Sequence, residues 1–133
     1  MALDFGYHHV GLSVGDLAAS IAWYENTLGF VLDRTYRIDA IPAQIAEMYR
    51  GDMRIELFEA EGAAPMSEDR RHPNLDVKTH GMKHVAYITP DLKALTTELV
   101  AKGADIVWIK EFPWGSNAFI RDNSGNLIEF VQA

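Results

Sequence analysis

An internal repeat is the feature of this chain that most restricts its fold. Residues 9–17, His-Val-Gly-Leu-Ser-Val-Gly-Asp-Leu, return as His-Val-Ala-Tyr-Ile-Thr-Pro-Asp-Leu at residues 84–92. Further along, Arg-Ile-Glu-Leu-Phe at residues 54–58 is matched by Leu-Ile-Glu-Phe-Val at residues 127–131. Because both motifs occur in the same order and at a nearly constant offset, we predict two copies of one supersecondary unit.

Each copy passes from the period-2 pattern of a strand to the 3.6-residue pattern of a helix. The apolar stripes of the two predicted helices are Leu17, Ile21, Tyr24 and Leu28 in the first copy and Leu92, Leu95 and Leu99 in the second. Thr89 is the predicted N-cap of the second helix, with Pro90 at its first position. Gly29 and Gly103 are placed to end the two helices in the left-handed conformation.

The segments that follow each helix predict further strands. In the first copy these are residues 30–37 and 54–60, separated by a short helical insert at 42–49; in the second they are 106–112, 118–121 and 127–132. Residues 122–126, Asp-Asn-Ser-Gly-Asn, predict a tight hairpin connection. Each copy therefore reads as a βαβββ module, and the fold class is α+β.

The segment between the two copies, residues 61–79, is rich in charge, Pro and Gly and has little periodicity, so we expect a mobile linker. This division gives module one at about residues 5–60 and module two at 80–133, within one domain of residues 1–133. The adjacent Arg70 and Arg71 are interpreted as a solvated charge run, with contact to an anionic substrate as the minority alternative.

Composition excludes several function classes. Lys and Arg number 12 against 19 for Asp and Glu, a net charge of −7, so neither nucleic acid nor a membrane surface is expected as a partner. The chain has no Cys, so any metal must be held by His and carboxylate side chains. The first residues carry neither a basic cluster nor a long apolar run, and a cytoplasmic location is the expectation.

Four ionisable residues fall on one face of the predicted sheets. Side chains alternate along a strand, so the apolar neighbours of His9, Glu56, His84 and Glu129 all point to the opposite face. Those apolar faces must meet the helices, which leaves the four residues on the concave side. A carboxylate placed there is costly to desolvate unless a cation compensates it.

The repeated His and Glu therefore predict about one divalent metal ion per chain, held by two imidazole nitrogens and two carboxylate oxygens. The sequence leaves open whether one chain or two chains complete this set. Such a set suits Ni, Zn, Co, Mn or Fe(II), and a six-coordinate ion keeps two positions for water or substrate. Other residues receive simpler interpretations: His8, His72 and His80 are expected not to be ligands, and Asp16 and Asp91 are helix-start residues.

The motifs also resemble a known family. His9-Val10 at the first strand, Trp23-Tyr24 and Leu28-Gly29-Phe30 at the end of the first helix, His84-Val85-Ala86, and residues 121–129 are similar to the vicinal oxygen chelate superfamily. That superfamily includes glyoxalase I, methylmalonyl-CoA epimerase, the fosfomycin and bleomycin resistance proteins, and extradiol dioxygenases. The resemblance implies paired βαβββ modules that form a cup-shaped mixed sheet around a metal, with the helices on the outer face.

Carried over to this chain, the resemblance implies that His9, Glu56, His84 and Glu129 bind the metal, a ligand set most like that of bacterial-type glyoxalase I. It favours an isomerase or lyase that acts through an enolate on a small substrate chelated by adjacent oxygens, with Glu56 or Glu129 as the catalytic base. The alternatives are an Fe(II) dioxygenase of catechol-like substrates that uses His9, His84 and Glu129, and a drug-sequestering resistance protein. A homodimer is expected, because association covers exposed sheet edges.

Overall fold

The computed structural model describes residues 2–132; Met1 and Ala133, the ends of the predicted domain, lie outside the described residues. Module one contains β1 (Val10–Ser13), α1 (Leu17–Leu28), β2 (Val31–Ile38), β3 (Ala43–Arg50) and β4 (Met53–Ala60). Between the modules lie a 3₁₀ helix (Glu68–Arg71) and α2 (Pro73–Asp76). Module two contains β5 (Val85–Ile88), α3 (Leu92–Ala101), β6 (Asp105–Phe112), β7 (Gly115–Arg121) and β8 (Leu127–Gln132).

The two modules have the same sheet topology. The strand order is β1-β4-β3-β2 in the first sheet and β5-β8-β7-β6 in the second. The first strand of each module pairs parallel to the last, and the other neighbours pair antiparallel. The α+β class and the repeated βαβββ unit predicted from the repeat are therefore confirmed.

The helical insert predicted at residues 42–49 is wrong, because this segment forms β3. Its residues Ala43, Gln44, Ala46, Glu47 and Met48 favour helix, but β3 pairs with β2 on one side and β4 on the other. Ile45 and Ala46 are both fully buried although they point to opposite faces of the sheet. Burial on two faces in the middle of a sheet outweighs local helix propensity here.

Both long helices start at an aspartate. Asp16 accepts a hydrogen bond from the Ala19 amide, and Asp91 accepts one from the Ala94 amide, each at 3.0 Å. Asp91, and not Thr89, is therefore the N-cap of α3, as the helix-start interpretation of the two aspartates predicted. Gly29 ends α1 in the left-handed conformation as predicted.

The hydrophobic core lies on the helix side of both sheets. The apolar residues on the far side of the four candidate ligands all belong to it: Val10, Leu12, Ile55 and Leu57 in module one and Val85, Tyr87, Ile128 and Phe130 in module two. The strand alternation used to place His9, Glu56, His84 and Glu129 away from the core is therefore confirmed.

A polar joint connects the modules through the turn between β7 and β8. The hydroxyl of Tyr24 on α1 donates a 2.7 Å hydrogen bond to Asp122, and the Asn126 side chain donates to the Ser13 carbonyl at 3.1 Å. Tyr24 is fully buried, and this burial, together with the Asp122 carboxylate, raises the pKa of the Tyr24 phenol well above 10.0. The turn predicted at residues 122–126 is present, with the amides of Ser124 and Asn126 bonded to Asp122.

The segment expected to be a mobile linker contains two short helices and is held by a buried acid. Asp76 is 1% exposed, and its Oδ1 lies 3.1 Å from both Arg70 Nε and Lys83 Nζ. Arg70 is thus a partner of Asp76 and not simply a solvated charge. Among the described residues, no helix is long and apolar enough to cross a membrane.

Candidate metal centre

The first candidate pair is formed by His9 and Glu56. His9 directly precedes β1, and Glu56 on the neighbouring β4 lies opposite Gly11, two residues further along β1. Both side chains therefore point to the concave face. His9 Nε2 lies 3.0 Å from Glu56 Oε2, and the glutamate side chain is 15% exposed.

The second pair repeats this arrangement in module two. His84 directly precedes β5, and Glu129 on β8 lies opposite Ala86, again two residues after the histidine. His84 Nε2 lies 3.3 Å from Glu129 Oε1, and the glutamate side chain is 18% exposed. The equal register gives both modules one nitrogen and one oxygen donor at the same place.

The chain presents these residues as two pairs and not as one group of four. In the part of the chain from residue 2 to 132, no three His, Asp or Glu side chains lie close enough to share a metal ion. Each pair nevertheless fits half of a divalent site, because a partly exposed imidazole nitrogen and a carboxylate oxygen already face one another. A four-ligand site needs both pairs.

A polar pocket of about 390 Å³ surrounds the first pair. Glu47 lies directly opposite Glu56 on β3, and Arg34 lies opposite Glu47 on β2. Arg34 Nε donates to Glu47 at 2.5 Å, and this hydrogen bond lowers the pKa of the Glu47 carboxyl. The positive charge of Arg34 therefore partly compensates the negative charges of the neighbouring Glu47 and Glu56 carboxylates.

His8 also lines this pocket, next to the first pair. It precedes β1, which begins at Val10, so strand alternation does not fix the direction of its side chain. His8 Nδ1 lies 2.6 Å from His9 Nδ1, on the ring side away from Glu56.

The second pair has an aromatic and amide environment that the sequence did not reveal. Asn117 Nδ2 donates to Glu129 Oε2 at 2.8 Å, and Trp108 Nε1 donates to Asn117 Oδ1 at 3.1 Å. Phe119 lies opposite Glu129 on β7 and contacts the His84 ring edge-on, with 4.8 Å between ring centroids. Asn117 and Trp108 were missed because their meeting depends on the pairing of three strands.

His72 and a larger cleft lie beside the second pair. His72 caps α2 and packs against Trp108, with 6.0 Å between ring centroids. A cleft of about 710 Å³ lies between β1, residues 63–67 of the connecting segment and the β7–β8 turn. His84 borders this cleft, so the second pair adjoins space for a small molecule.

Comparison with known families decides the membership of the chain. The profile of the Glyoxalase/Bleomycin resistance protein/Dioxygenase superfamily matches residues 6–130. The chain belongs to this superfamily. The vicinal oxygen chelate resemblance drawn from the motifs is confirmed, and its two modules are those of the superfamily fold.

Solved structures agree with the assignment of the fold. A glyoxalase/bleomycin resistance protein/dioxygenase domain from a Frankia species is 26% identical, with a TM-score of 0.78 over 99% of this chain and 93% of that one. The trypanothione-dependent glyoxalase I of Leishmania major is 23% identical, with a TM-score of 0.74 over 97% and 87%. An antibiotic binding protein from a Streptomyces species is 18% identical, with a TM-score of 0.72 over 98% of each chain.

These relatives include an enzyme and a binding protein, so the fold alone leaves the activity to be argued from the site. The comparison with curated protein sequences found no match.

Proposed function

We propose that this protein is a metal-dependent isomerase or lyase of the glyoxalase type that acts on a small substrate with adjacent oxygens. The observation that carries the proposal is the repeated pair of His and Glu, placed at equal register in both modules. A binding protein that only encloses a drug would need no such repeated donors on its concave face.

The residues that would hold the cation are His9, Glu56, His84 and Glu129. Their two nitrogens and two carboxylate oxygens fit Ni, Zn, Co, Mn or Fe(II). When bound, the cation would supply Lewis acidity toward two substrate oxygens. Partial burial of both carboxylates keeps the donors poorly hydrated and favours a compensating positive charge.

The reaction needs a base beside the substrate carbon, and Glu56 and Glu129 are the carboxylates at hand. One of them takes a proton from the carbon next to a carbonyl: the C–H bond breaks, an O–H bond forms on the glutamate, and the electron pair moves to the carbonyl oxygen. If that carbon also carries a hydroxyl group, the hydroxyl proton moves to the neighbouring oxygen, a new C=O bond forms on the first carbon, and the carboxyl returns its proton to the former carbonyl carbon, which gives an isomer. If a leaving group departs with the electron pair instead, the carboxyl keeps the proton and the product is that of an elimination.

We also propose that the protein works as a homodimer. Each chain offers two half-sites, and a second copy can supply the complementary half. Leu3, Phe5 and Tyr7 support this assembly, because they lie on alternate residues just before His9 and are between 75% and 85% exposed. Association would remove this apolar surface from water. Sedimentation giving a monomer at micromolar concentration would contradict the dimer.

The experiment that tests the reaction compares Glu56→Gln with Glu129→Gln. Both variants and the wild type are loaded with nickel or iron(II) and assayed on adducts of 2-oxoaldehydes and on catechols. We expect oxygen-independent turnover of the adduct by wild-type protein and its loss when the base is replaced. An amide oxygen still coordinates, so Glu56→Gln should retain much of the metal affinity.

The same variants test the dioxygenase alternative. Suppose the iron form consumes oxygen with a catechol, and Glu56→Gln keeps this activity within about tenfold, or about 1.4 kcal/mol, while Glu129→Gln loses it. The protein would then be an Fe(II) dioxygenase that uses three ligands, and the isomerase or lyase proposal would be rejected.

A further inference from the structure

The carboxylate of Glu129 is held at both of its oxygens. Oε1 faces His84 Nε2 at 3.3 Å, and Oε2 accepts the 2.8 Å hydrogen bond from Asn117. The Asn117 amide is in turn oriented by Trp108, whose indole N–H donates to Asn117 Oδ1. With its oxygen occupied by the indole, the Asn117 amide has its NH₂ directed at Glu129.

Glu56 has no such support in module one. Its contact with His9 is present, but within residues 2–132 no amide or hydroxyl group donates a hydrogen bond to the Glu56 carboxylate. The reason lies in the register. Asn117 lies opposite the residue two after Glu129, and the corresponding position in module one is Ile45, opposite the residue two after Glu56. Ile45 has an apolar side chain and cannot donate.

Rotation of the two glutamates therefore has unequal costs. Turning Glu129 away from His84 breaks the bond from Asn117, whereas turning Glu56 gives up only its contact with His9. A hydrogen-bonded partner of this kind fixes the orientation of a carboxylate ligand, and its removal typically lowers metal affinity by about 10- to 100-fold.

We infer that Asn117 and Trp108 are positioning residues that fix the orientation of the Glu129 carboxylate as a metal ligand. The inference rests on the proposed function and deepens it, because it names two residues outside the four candidate ligands that act on one of them. Asn117 acts only through Glu129.

The first measurement tests the hydrogen-bond chain in metal-free protein. The chain has three Trp residues, and Trp108→Phe identifies the indole N–H signal of Trp108 in a nitrogen–proton NMR spectrum. We expect Glu129→Ala to shift this signal through Asn117 and Glu56→Ala, the matched change in module one, to leave it in place. An unmoved signal in Glu129→Ala would overturn the positioning role.

The second measurement is metal affinity, by calorimetry with nickel alone. We expect a loss of about tenfold in Asn117→Leu and a smaller loss in Trp108→Phe, with unchanged melting temperatures for the latter. Lys110→Ala is the control. Lys110 pairs with Asn117 through the backbone ladder and its Nζ lies 4.0 Å from the centroid of the Trp108 ring, but its side chain is not part of the hydrogen-bond chain to Glu129, so the metal affinity should equal that of the wild type. Wild-type affinity in both Asn117→Leu and Trp108→Phe would overturn the inference.

If the wild type binds no divalent ion although the Trp108 signal responds to Glu129→Ala, then the proposed function fails and the hydrogen-bond chain is only structural.

Discussion

The concave faces of the two modules carry the same donors in different surroundings. In module one, the residues opposite Glu56 on the next two strands are Glu47 and Arg34, which form an exposed ion pair. In module two, the residues that follow Glu129 across the sheet are Phe119 and Trp108, which pack edge-on with 5.0 Å between ring centroids. One face is charged and partly exposed, and the other is aromatic.

The register of the candidate ligands is the same in both modules, whereas the side chains around them differ. A shift in register between Leu32 and Arg34 is repeated between Ile106 and Trp108, so even the irregularities of the two sheets correspond. The backbone therefore places a His and a Glu alike in both modules, while the neighbouring side chains decide how freely each glutamate moves.

Removing one histidine at a time should have the largest effect on metal binding by the two half-sites. We expect His9→Ala and His84→Ala each to lower metal affinity more than about 100-fold, because a lost ligand costs more than a lost supporting hydrogen bond. The fold should survive, since both side chains lie away from the core. Elemental analysis and circular dichroism check this; a full metal complement in either variant would remove that histidine from the site.

The joint between the modules can be weakened without touching either concave face. Tyr24→Phe deletes a buried hydrogen bond to the Asp122 carboxylate and should reduce the free energy of unfolding by about 2 kcal/mol. Urea denaturation measures the change. Tyr36→Phe is the control, because the Tyr36 hydroxyl makes only a 3.4 Å contact with Glu47 at a partly exposed site, and it should cost far less.

Alkaline pH should also weaken the joint between Tyr24 and Asp122, by a smaller loss of stability. The pKa of Tyr24 is raised by burial and by Asp122, so the folded protein keeps the phenol proton when the unfolded chain loses it. The stabilisation is therefore complete below about pH 10 and declines above it, by up to about 1.4 kcal/mol per pH unit for one group. Tyr87, whose pKa burial raises to about 12, adds a similar decline that Tyr24→Phe should leave in place. Equal slopes for Tyr24→Phe and the wild type would contradict the assignment.

The sequence predicted the parts of the molecule that depend on one strand at a time. His9 and Glu56 were placed on the same face because alternation within each strand is local, and the repeat extended this result to His84 and Glu129. The strand β3 was missed because Gln44, Ala46 and Met48 are good helix formers, and only its two neighbouring strands make it extended.

What the sequence could not provide is contact between strands. Asn117 on β7 reaches Glu129 on β8 on one side and Trp108 on β6 on the other. The pairing of β6 with β7 contains a register shift that the residue pattern does not predict. The separation of the candidate ligands into two pairs was likewise not predictable, because it depends on how the modules sit together.

Because the turn at residues 122–126 bonds to module one, neither half of the chain is expected to fold well on its own. A gene fragment that encodes only module two would leave the Asp122 carboxylate without its phenol and Asn126 without the Ser13 carbonyl. A fragment of module one would in turn expose the Tyr24 hydroxyl in an apolar surface. The chain is therefore suited to division as a split protein, in which two fragments cut near residues 61–66 regain a full set of hydrogen bonds only when they meet.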